Sequence, residues 1–189
     1  MSKGRLIVFS APSGCGKGTM LAEILKDDSY FLSVSATTRA PREGEVDGEN
    51  YYFLTKEKFE ELISNDGFIE YAEYNGNYYG TPKAPVEEWL NSGKTVILEI
   101  EVQGAMHVKE QYPDALLIFV TAPNAEILKE RLKGRGTDSE AVIAKRLRRA
   151  AEEAEDIDVY DYVVVNDDLE ECVKAVNSVI VANKCKKSN

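Results

Sequence analysis

The feature that most restricts how this chain can fold is a glycine-rich loop near its start, placed between an apolar segment and a helical one. Residues 5–10, RLIVFS, form a short run of branched apolar side chains that is typical of a buried β-strand. The loop APSGCGKGT follows at 11–19, and Met20, Leu21, Ile24 and Leu25 then recur on one side of a predicted helix. A strand, a glycine turn and a helix in this order open an α/β unit.

The loop has the composition of a phosphate-binding turn, in which consecutive backbone N–H groups and the positive end of the helix dipole attract an anion. Lys17 is placed to reach the β- and γ-phosphates of a nucleotide, and Thr19 is a candidate for holding Mg²⁺ through water, with no direct protein ligand expected. The loop departs from G-x-x-x-x-G-K-[ST] at Ala11 and Gly18. The predicted triphosphate-binding residues are Ala11, Pro12, Ser13, Gly14, Cys15, Gly16, Lys17, Gly18 and Thr19.

Three further apolar runs, at 95–100, 116–120 and 162–165, predict core strands. Near-continuous apolar runs are typical of parallel strands that are buried on both faces. Leu169, Cys172, Val173, Val176, Val179 and Ile180 follow at helical spacing, so this last helix is expected to pack on the sheet. The sequence therefore predicts an α/β protein with a parallel sheet of about five strands.

The segment between the first two core strands has a different character and predicts a small α+β insertion. Thr55 is a candidate cap for a short helix, and Asn75-Gly76 is a hairpin signal. Residues 124–157 read as helical with a break at 134–136.

Charge and composition exclude several classes of protein. A net charge of −10 argues against a nucleic-acid partner, because a broad phosphate-binding surface needs an excess of Lys and Arg. No apolar run approaches the roughly 20 residues that span a bilayer, and the start of the chain lacks the features of a secretory signal. Three widely spaced cysteines without a CxxC pair predict a reducing cytoplasm.

Eight segments in the expected order, with no large gap, resemble the guanylate kinases. They are 11–19, 35–42 (SATTRAPR), 48–53 (GENYYF), 68–70 (FIE), 76–81 (GNYYGT), 98–104 (LEIEVQG), 131–136 (RLKGRG) and 165–168 (VNDD). The resemblance implies a three-layer P-loop kinase fold with a small α+β GMP-binding insertion and a helical lid. It implies a core at 1–34, 95–125 and 158–189, a GMP-binding subdomain at 35–94 and a lid at 126–157.

The same resemblance implies which residues bind GMP. Two arginines and two tyrosines, Arg39, Arg42, Tyr51 and Tyr79, match the family's clamp on the GMP phosphate, and such groups supply several directed donors. The guanine ring is assigned to Ser35, Glu70, Thr81, Glu99 and Glu101. Glu99 and Glu101 are expected to share one face of a strand, and their individual roles, on guanine or on Mg²⁺-bound water, stay open.

On the ATP side, the resemblance implies a mobile lid and a contact near the adenine. The lid arginines are Arg131, Arg135 and Arg146, and Asn166 matches the adenine position. Arg148 and Arg149 are expected to be solvated. Cys15 lies inside the loop, where alkylation would inactivate the protein, although most cysteines are inert. The residues expected to act in catalysis are Lys17, Arg39, Arg135 and Arg146.

The implied activity is transfer of the γ-phosphate of ATP to GMP, with dGMP as a second acceptor and Mg²⁺ as cofactor. Two alternatives remain at this point. One is a kinase for another nucleoside monophosphate, which Glu70 with Thr81 disfavours. The other is an inactive module of the same family that binds a protein ligand, which the intact loop disfavours. A homo-oligomer is compatible with the sequence, and no membrane partner is expected.

Overall fold

The structure is a computed structural model that describes residues 4–134, 136 and 138–185. The chain divides into two units. The first contains Met1–Ile7, Ser29–Glu99 and Gln103–Ala115, and the second contains Val8–Asp28, Ile100–Val102 and Leu116–Asn189. The division into core, GMP-binding subdomain and lid that the sequence suggested stays a prediction.

Nine strands and seven α-helices make up the described part of the chain. The strands are β1 (Arg5–Ser10), β2 (Tyr30–Leu32), β3 (Ala36–Thr37), β4 (Tyr52–Phe53), β5 (Phe68–Tyr74), β6 (Asn77–Pro82), β7 (Thr95–Glu99), β8 (Leu116–Thr121) and β9 (Tyr162–Val165). The helices are α1 (Lys17–Ile24), α2 (Lys56–Ser64), α3 (Lys83–Asn91), α4 (Val102–Gln111), α5 (Ala125–Gly134), α6 (Glu140–Glu155) and α7 (Leu169–Lys184), with a 3₁₀ turn at Ile157–Val159.

The larger sheet has five strands in the order β2-β7-β1-β8-β9. β2 pairs with β7 in parallel, with Tyr30 opposite Thr95, and β8 pairs with β9 in parallel, with Ile118 opposite Tyr162. Residues 116–120 of β8 are all buried, as the apolar run predicted. The parallel sheet and its number of strands are confirmed, and β2 is the strand that the sequence pattern did not indicate.

The smaller sheet lies within the first unit and has the order β4-β3-β6-β5. β5 and β6 form the predicted hairpin, and Asn75 and Gly76 at its turn have φ values of 50° and 74°. Positive φ at both central residues gives the turn the twist that two antiparallel strands require, and Asn-Gly tolerates it best. α2 begins after Thr55, whose side chain accepts a hydrogen bond from the Lys58 N–H, so the predicted cap is confirmed.

Aromatic side chains hold α2 against this sheet. The ring of Phe59 is fully buried and stacks on Phe68 at 4.2 Å and on Tyr78 at 5.2 Å between ring centroids. Such contacts add to the free energy of burial, by about 0.5–1.5 kcal/mol per pair. The α+β insertion therefore has its own small core.

In the second unit, α5 and α6 pack on the glycine-rich loop. Cys15 of the loop belongs to one cluster of buried residues with Leu128, Leu132, Ile143 and Ala150. α6 begins after Ser139, whose side chain accepts from the Val142 N–H. The predicted segment thus contains two helices, α5 ending at Gly134 and α6 beginning at Glu140, while part of the predicted break at 134–136 lies outside the described residues.

One expectation about the sheet is wrong. β7 ends at Glu99, so Glu101 lies in the connection to α4 and does not share a strand face with Glu99. The apolar pattern of 95–100 could not reveal this, because Ile100 is also buried, although it lies outside the strand. α3 and α4 were also missed by the sequence pattern. None of the described helices is long and apolar enough to cross a membrane.

Candidate active site

The glycine-rich loop connects β1 to α1 and is shaped by two left-handed glycines. Gly14 and Gly16 have φ values of 97° and 82°. The Cys15 N–H donates to the carbonyl of Pro12 at 3.2 Å, which closes a turn, and the Met20 N–H donates to that of Gly16 at 3.0 Å, the first helical bond. Among the described residues, no side chain caps α1 and no acid lies in its first turn. Its N-terminal N–H groups are therefore suited to an anion.

Close packing makes these two glycines obligatory. A Cβ at Gly14 would lie 2.9 Å from a methyl carbon of Leu132, and one at Gly16 would lie 2.5 Å from the side-chain nitrogen of Asn166. Both positions also need a positive φ, which other residues adopt at a cost. Gly18, by contrast, has open space around it. Gly18 stands where the G-x-x-x-x-G-K-[ST] pattern has Ser or Thr, so a hydroxyl is missing there. Packing does not require glycine at this position.

Asn166 lies just after β9, and its side chain is hydrogen-bonded to the glycine-rich loop. Its side-chain Nδ2 donates to the Cys15 carbonyl at 2.8 Å, and its own N–H donates to the Thr121 carbonyl at 2.8 Å. The residue is 6% exposed. A buried amide that satisfies a loop carbonyl holds that carbonyl in one direction. The Asn166 side chain therefore helps to set the shape of the loop.

Two of the predicted lid arginines lie against this region. Arg131 donates to the backbone carbonyls of Asn166 and Asp167 at 2.8 and 3.2 Å. Arg146 of α6 donates from Nη1 to the Ser13 hydroxyl at 2.6 Å, and its Nε lies 3.3 Å from Asp138 Oδ2. Arg146 thus brings a guanidinium to the loop that is expected to hold phosphates.

A second arginine of α6 bridges two carboxylates. Arg149 donates from Nη2 to Glu101 Oε2, and its Nε donates to Glu153 Oε1 at 2.8 Å. Burial raises the pKa of Glu153; the bond to Arg149 opposes this shift, Glu101 adds to it, and Lys17 opposes it. Lys17, Arg149 and the two carboxylates therefore form one electrostatically coupled group. Arg149 was expected to be solvated; its side chain is 40% exposed and also has two acidic partners.

The predicted clamp lies in the first unit. The Arg39 guanidinium carbon lies 5.4 Å from the ring centroid of Tyr51, whose ring meets that of Tyr79 edge-on at 6.1 Å. Burial raises the pKa of Tyr51, with smaller contributions from Tyr79 and Glu99 in the same direction and from Arg39 in the other. The same guanidinium forms an ion pair with Glu45 at 2.9 Å. Tyr51 thus stays protonated near neutral pH and offers an O–H donor.

The predicted base pocket is formed across the β5–β6 hairpin. Glu70 lies opposite Thr81 in the register, and the Thr81 hydroxyl donates to Glu70 Oε1 at 2.7 Å. Thr81 is 1% exposed. A Cβ on Gly104 of α4 would lie 2.8 Å from Glu70 Oε2, so only glycine leaves room for this carboxylate. The pair presents acceptor oxygens next to each other.

The family model for guanylate kinases matches residues 3–183. This chain belongs to the guanylate kinase family. Guanylate kinases of Clostridium acetobutylicum and Synechocystis sp. are 51% and 54% identical to it, over 97% and 94% of this chain and 88% and 94% of theirs. A guanylate kinase of Streptococcus thermophilus is 56% identical over 95% of this chain and 87% of its own.

A solved structure of the same family supports the fold. The crystal structure of guanylate kinase from Anaplasma phagocytophilum superposes with a TM-score of 0.78 at 35% identity and covers 98% of this chain and 89% of that one. The family resemblance and the P-loop kinase fold expected from the sequence are therefore confirmed. The roles of individual residues stay predictions.

The predicted site residues of this guanylate kinase family member fall into two groups. The loop residues 11–19, Arg131, Arg146 and Asn166 lie in the second unit, together with Glu101. Ser35, Arg39, Arg42, Tyr51, Glu70, Tyr79, Thr81 and Glu99 lie in the first unit. Glu101 thus belongs to a different unit from the other residues assigned to GMP. Arg135 lies outside the described residues.

Two acids, Glu45 and Glu153, were missed by the sequence reasoning. Glu45 accepts from Arg39, and Glu153 accepts from Arg149, which also donates to Glu101. The only sequence signal was the i, i+4 spacing of Arg149 and Glu153 on α6, which is common on solvated helices. Glu45 gave no signal, because its partner lies six residues away across a turn.

The loop cysteine should resist thiol reagents. Cys15 and Cys172 are 1% and 2% exposed, and burial raises the pKa of both thiols, whereas Cys185 is exposed. Because the thiolate is the reactive form, a chromogenic disulfide should titrate about one thiol in the native protein and the other two only after denaturation. A Cys185→Ser variant should show no fast thiol. Rapid, inactivating modification of that variant would contradict the described environment of Cys15.

Replacing Asn166 with Ala should distort the loop. The Cys15 carbonyl would lose its partner while staying buried, at a cost of about 1–3 kcal/mol in the free energy of unfolding. We also expect a raised KM for ATP and an unchanged KM for GMP. Urea unfolding measures the change in the free energy of unfolding, and steady-state kinetics measure the two KM values. The control is Asp167→Ala, since Asp167 is exposed and its carbonyl, which accepts from Arg131, is retained. Equal effects of both changes would contradict the role of the Asn166 amide.

Proposed function

We propose that this chain transfers the γ-phosphate of ATP to GMP, giving ADP and GDP. The hydrogen-bonded pair of Glu70 and Thr81 carries the proposal, because it supplies what distinguishes guanine from other bases. Membership of the guanylate kinase family and the glycine-rich loop support it.

Guanine presents two adjacent donors, N1–H and the N2 amino group, on one edge. The Thr81 hydroxyl donates to Glu70 Oε1, so its oxygen and the Glu70 carboxylate both remain able to accept. Adenine has no such pair of donors on that edge and would not supply the two hydrogen bonds that guanine offers to these oxygens. A site built on such hydrogen bonds rejects a mismatched ligand strongly, by roughly 10⁴-fold in good cases. No residue is assigned to the 2′-hydroxyl of the acceptor, and we expect dGMP to be accepted as well.

The acceptor phosphate is assigned to Arg39, Arg42, Tyr51 and Tyr79. Arg39 and the two tyrosines lie together, and the Arg42 N–H shares the Glu45 carboxylate with Arg39. Guanidinium and phenol groups donate to a phosphate dianion with directed, charge-assisted bonds. The acceptor is already an anion, so the reaction needs no strong general base.

The donor phosphates are assigned to the loop 11–19, Lys17 and Arg146. The left-handed glycines direct the loop backbone, and Arg146 reaches the Ser13 hydroxyl. In-line transfer without a covalent enzyme intermediate needs alignment and charge stabilisation, which these groups supply. Arg135 is proposed as a further lid cation on the family resemblance alone.

The donor set also fits Mg²⁺ bound together with ATP. This ion prefers oxygen ligands, takes few from the protein and keeps water and substrate phosphates for the rest. Thr19, exposed in the first turn of α1, and the Glu101 carboxylate are the groups that would hold its waters. When bound, the ion would offset charge on the β- and γ-phosphates.

We further propose a reducing cytoplasmic compartment, supported by three cysteines that are free.

A substrate panel tests the proposal. ADP release with Mg-ATP should be seen with GMP and dGMP and be absent, within the assay, with AMP, CMP and UMP. Turnover with another base would keep the phosphotransferase and discard the proposed base pocket. Silence with all five acceptors would favour the protein-binding module.

Glu70→Gln should reduce kcat/KM for GMP by about 10²-fold or more, because the amide places a donor where the guanine edge needs an acceptor. Steady-state kinetics with GMP measure this change. The matched control is Glu73→Gln, an exposed residue on the same strand, which should leave kcat/KM unchanged. Unaltered GMP kinetics in Glu70→Gln would remove Glu70 from the base pocket.

A further inference from the structure

The Glu45 carboxylate accepts three hydrogen bonds from the segment that carries the predicted clamp. Arg39 donates from Nη1 to Oε2 at 3.0 Å and from Nη2 to Oε1 at 2.9 Å. The Arg42 N–H donates to the same Oε2 at 2.7 Å. The side chains of Arg39 and Glu45 are only 16% and 19% exposed. A two-point ion pair of this kind fixes a guanidinium in orientation as well as in position.

The remaining donors of Arg39 show which edge of the guanidinium is left for a ligand. Nη1 also donates to the Ala40 carbonyl at 2.7 Å, so Glu45 and Ala40 use three of the five N–H groups. The other two, Nε–H and the second Nη2–H, are parallel and lie along the adjacent Nε–Nη2 edge. Glu45 raises the pKa of Arg39, and Tyr79 adds to this shift. The rings of Tyr51 and Phe53 lie 5.4 and 5.8 Å from the guanidinium carbon.

We propose that Glu45 is a positioning residue for the acceptor nucleotide, holding Arg39 by one edge so that its other edge faces the GMP phosphate. The inference rests on the proposed function and adds to it a residue that is not part of the clamp itself. Glu45 acts through Arg39 and need not touch the substrate.

The local backbone shows that Glu45 is placed independently of any ligand. The Glu45 N–H donates to the Arg42 carbonyl at 3.1 Å, and Gly44 between them has a φ of 84°. This tight turn returns the Glu45 side chain to the Arg42 N–H. The bond to Arg39 and the N–H of Arg42 lower the pKa of Glu45, so it is ionised at neutral pH. The ion pair is close to neutral overall, which leaves Arg42 as the uncompensated cation of the clamp.

The opposite reading is that Glu45 imitates the phosphate and competes with it. The two interpretations predict opposite changes in the affinity for GMP. A competitor would be removed by Glu45→Gln and GMP would bind more tightly, whereas loss of a positioning residue would weaken GMP.

The first experiment compares GMP with guanosine, which lacks the phosphate, by calorimetry and by competition. For Glu45→Gln we expect GMP to bind about tenfold more weakly, as for the loss of one charge-assisted contact, and guanosine to bind as in the wild type. The control is Glu43→Gln, an exposed neighbour on the same loop, which should change neither. Unchanged or tighter GMP binding by Glu45→Gln would overturn the proposal, as would an equal loss for guanosine. If Glu45→Gln does not fold, Glu45→Asp, which is one methylene too short for both contacts, replaces it with the same expectation.

A double-mutant cycle then asks whether Glu45 acts through Arg39. In an Arg39→Lys background, which lacks the two-edged fork, Glu45→Gln should weaken GMP by less than twofold. A full tenfold loss in that background would overturn the proposal. Turnover of GMP by the wild-type protein distinguishes a failure of the proposed function from a failure of this inference. If the wild type does not turn over GMP, the proposed function is contradicted. If it does and the Glu45 variants are unaffected, only the role of Glu45 is contradicted.

Discussion

The phosphate loop of this chain depends on how closely other elements approach its backbone. At Gly14 the side chains of α5 come within contact distance of where a Cβ would stand, and at Gly16 the amide of Asn166 does. Only glycine allows both the approach and the left-handed backbone. In return, the Asn166 amide holds the Cys15 carbonyl, and the cluster around Cys15 ties α5 and α6 to the loop. The N–H groups at the start of α1 owe their direction to this packing.

Four arginines of the described candidate site are each held by oxygen acceptors of the protein. Arg39 is bound by Glu45, Arg131 by two backbone carbonyls, and Arg146 by Ser13 and Asp138. Arg149 lies between Glu101 and Glu153. Cations that are fixed in advance lose less side-chain entropy when an anionic ligand binds, and an acidic protein can supply the fixing groups from nearby. The acids around these arginines therefore hold in place the cations that are proposed to bind phosphate.

The sequence predicted the sheet and the loop because their patterns are local. A run such as 116–120 is apolar throughout, and the strand it predicts is buried throughout. Thr55, Asn75 and Gly76 each carry a conformational preference that operates within a few residues, and all three were found where expected. The end of β7 was misjudged, because an apolar residue at position 100 is buried whether or not it extends the strand.

By itself, the sequence determined the fold class, the family and the residue types of the site, since these follow from local patterning and from eight ordered motifs. Only the tertiary structure decided which charges meet. Arg149 reaches Glu101 across 48 residues, Asn166 reaches Cys15 across 151, and Glu45 turns back on Arg39 through a single loop. Such pairs leave no periodic trace in a sequence, because a salt bridge or an amide–carbonyl bond depends on the distance between two atoms and not on their spacing along the chain.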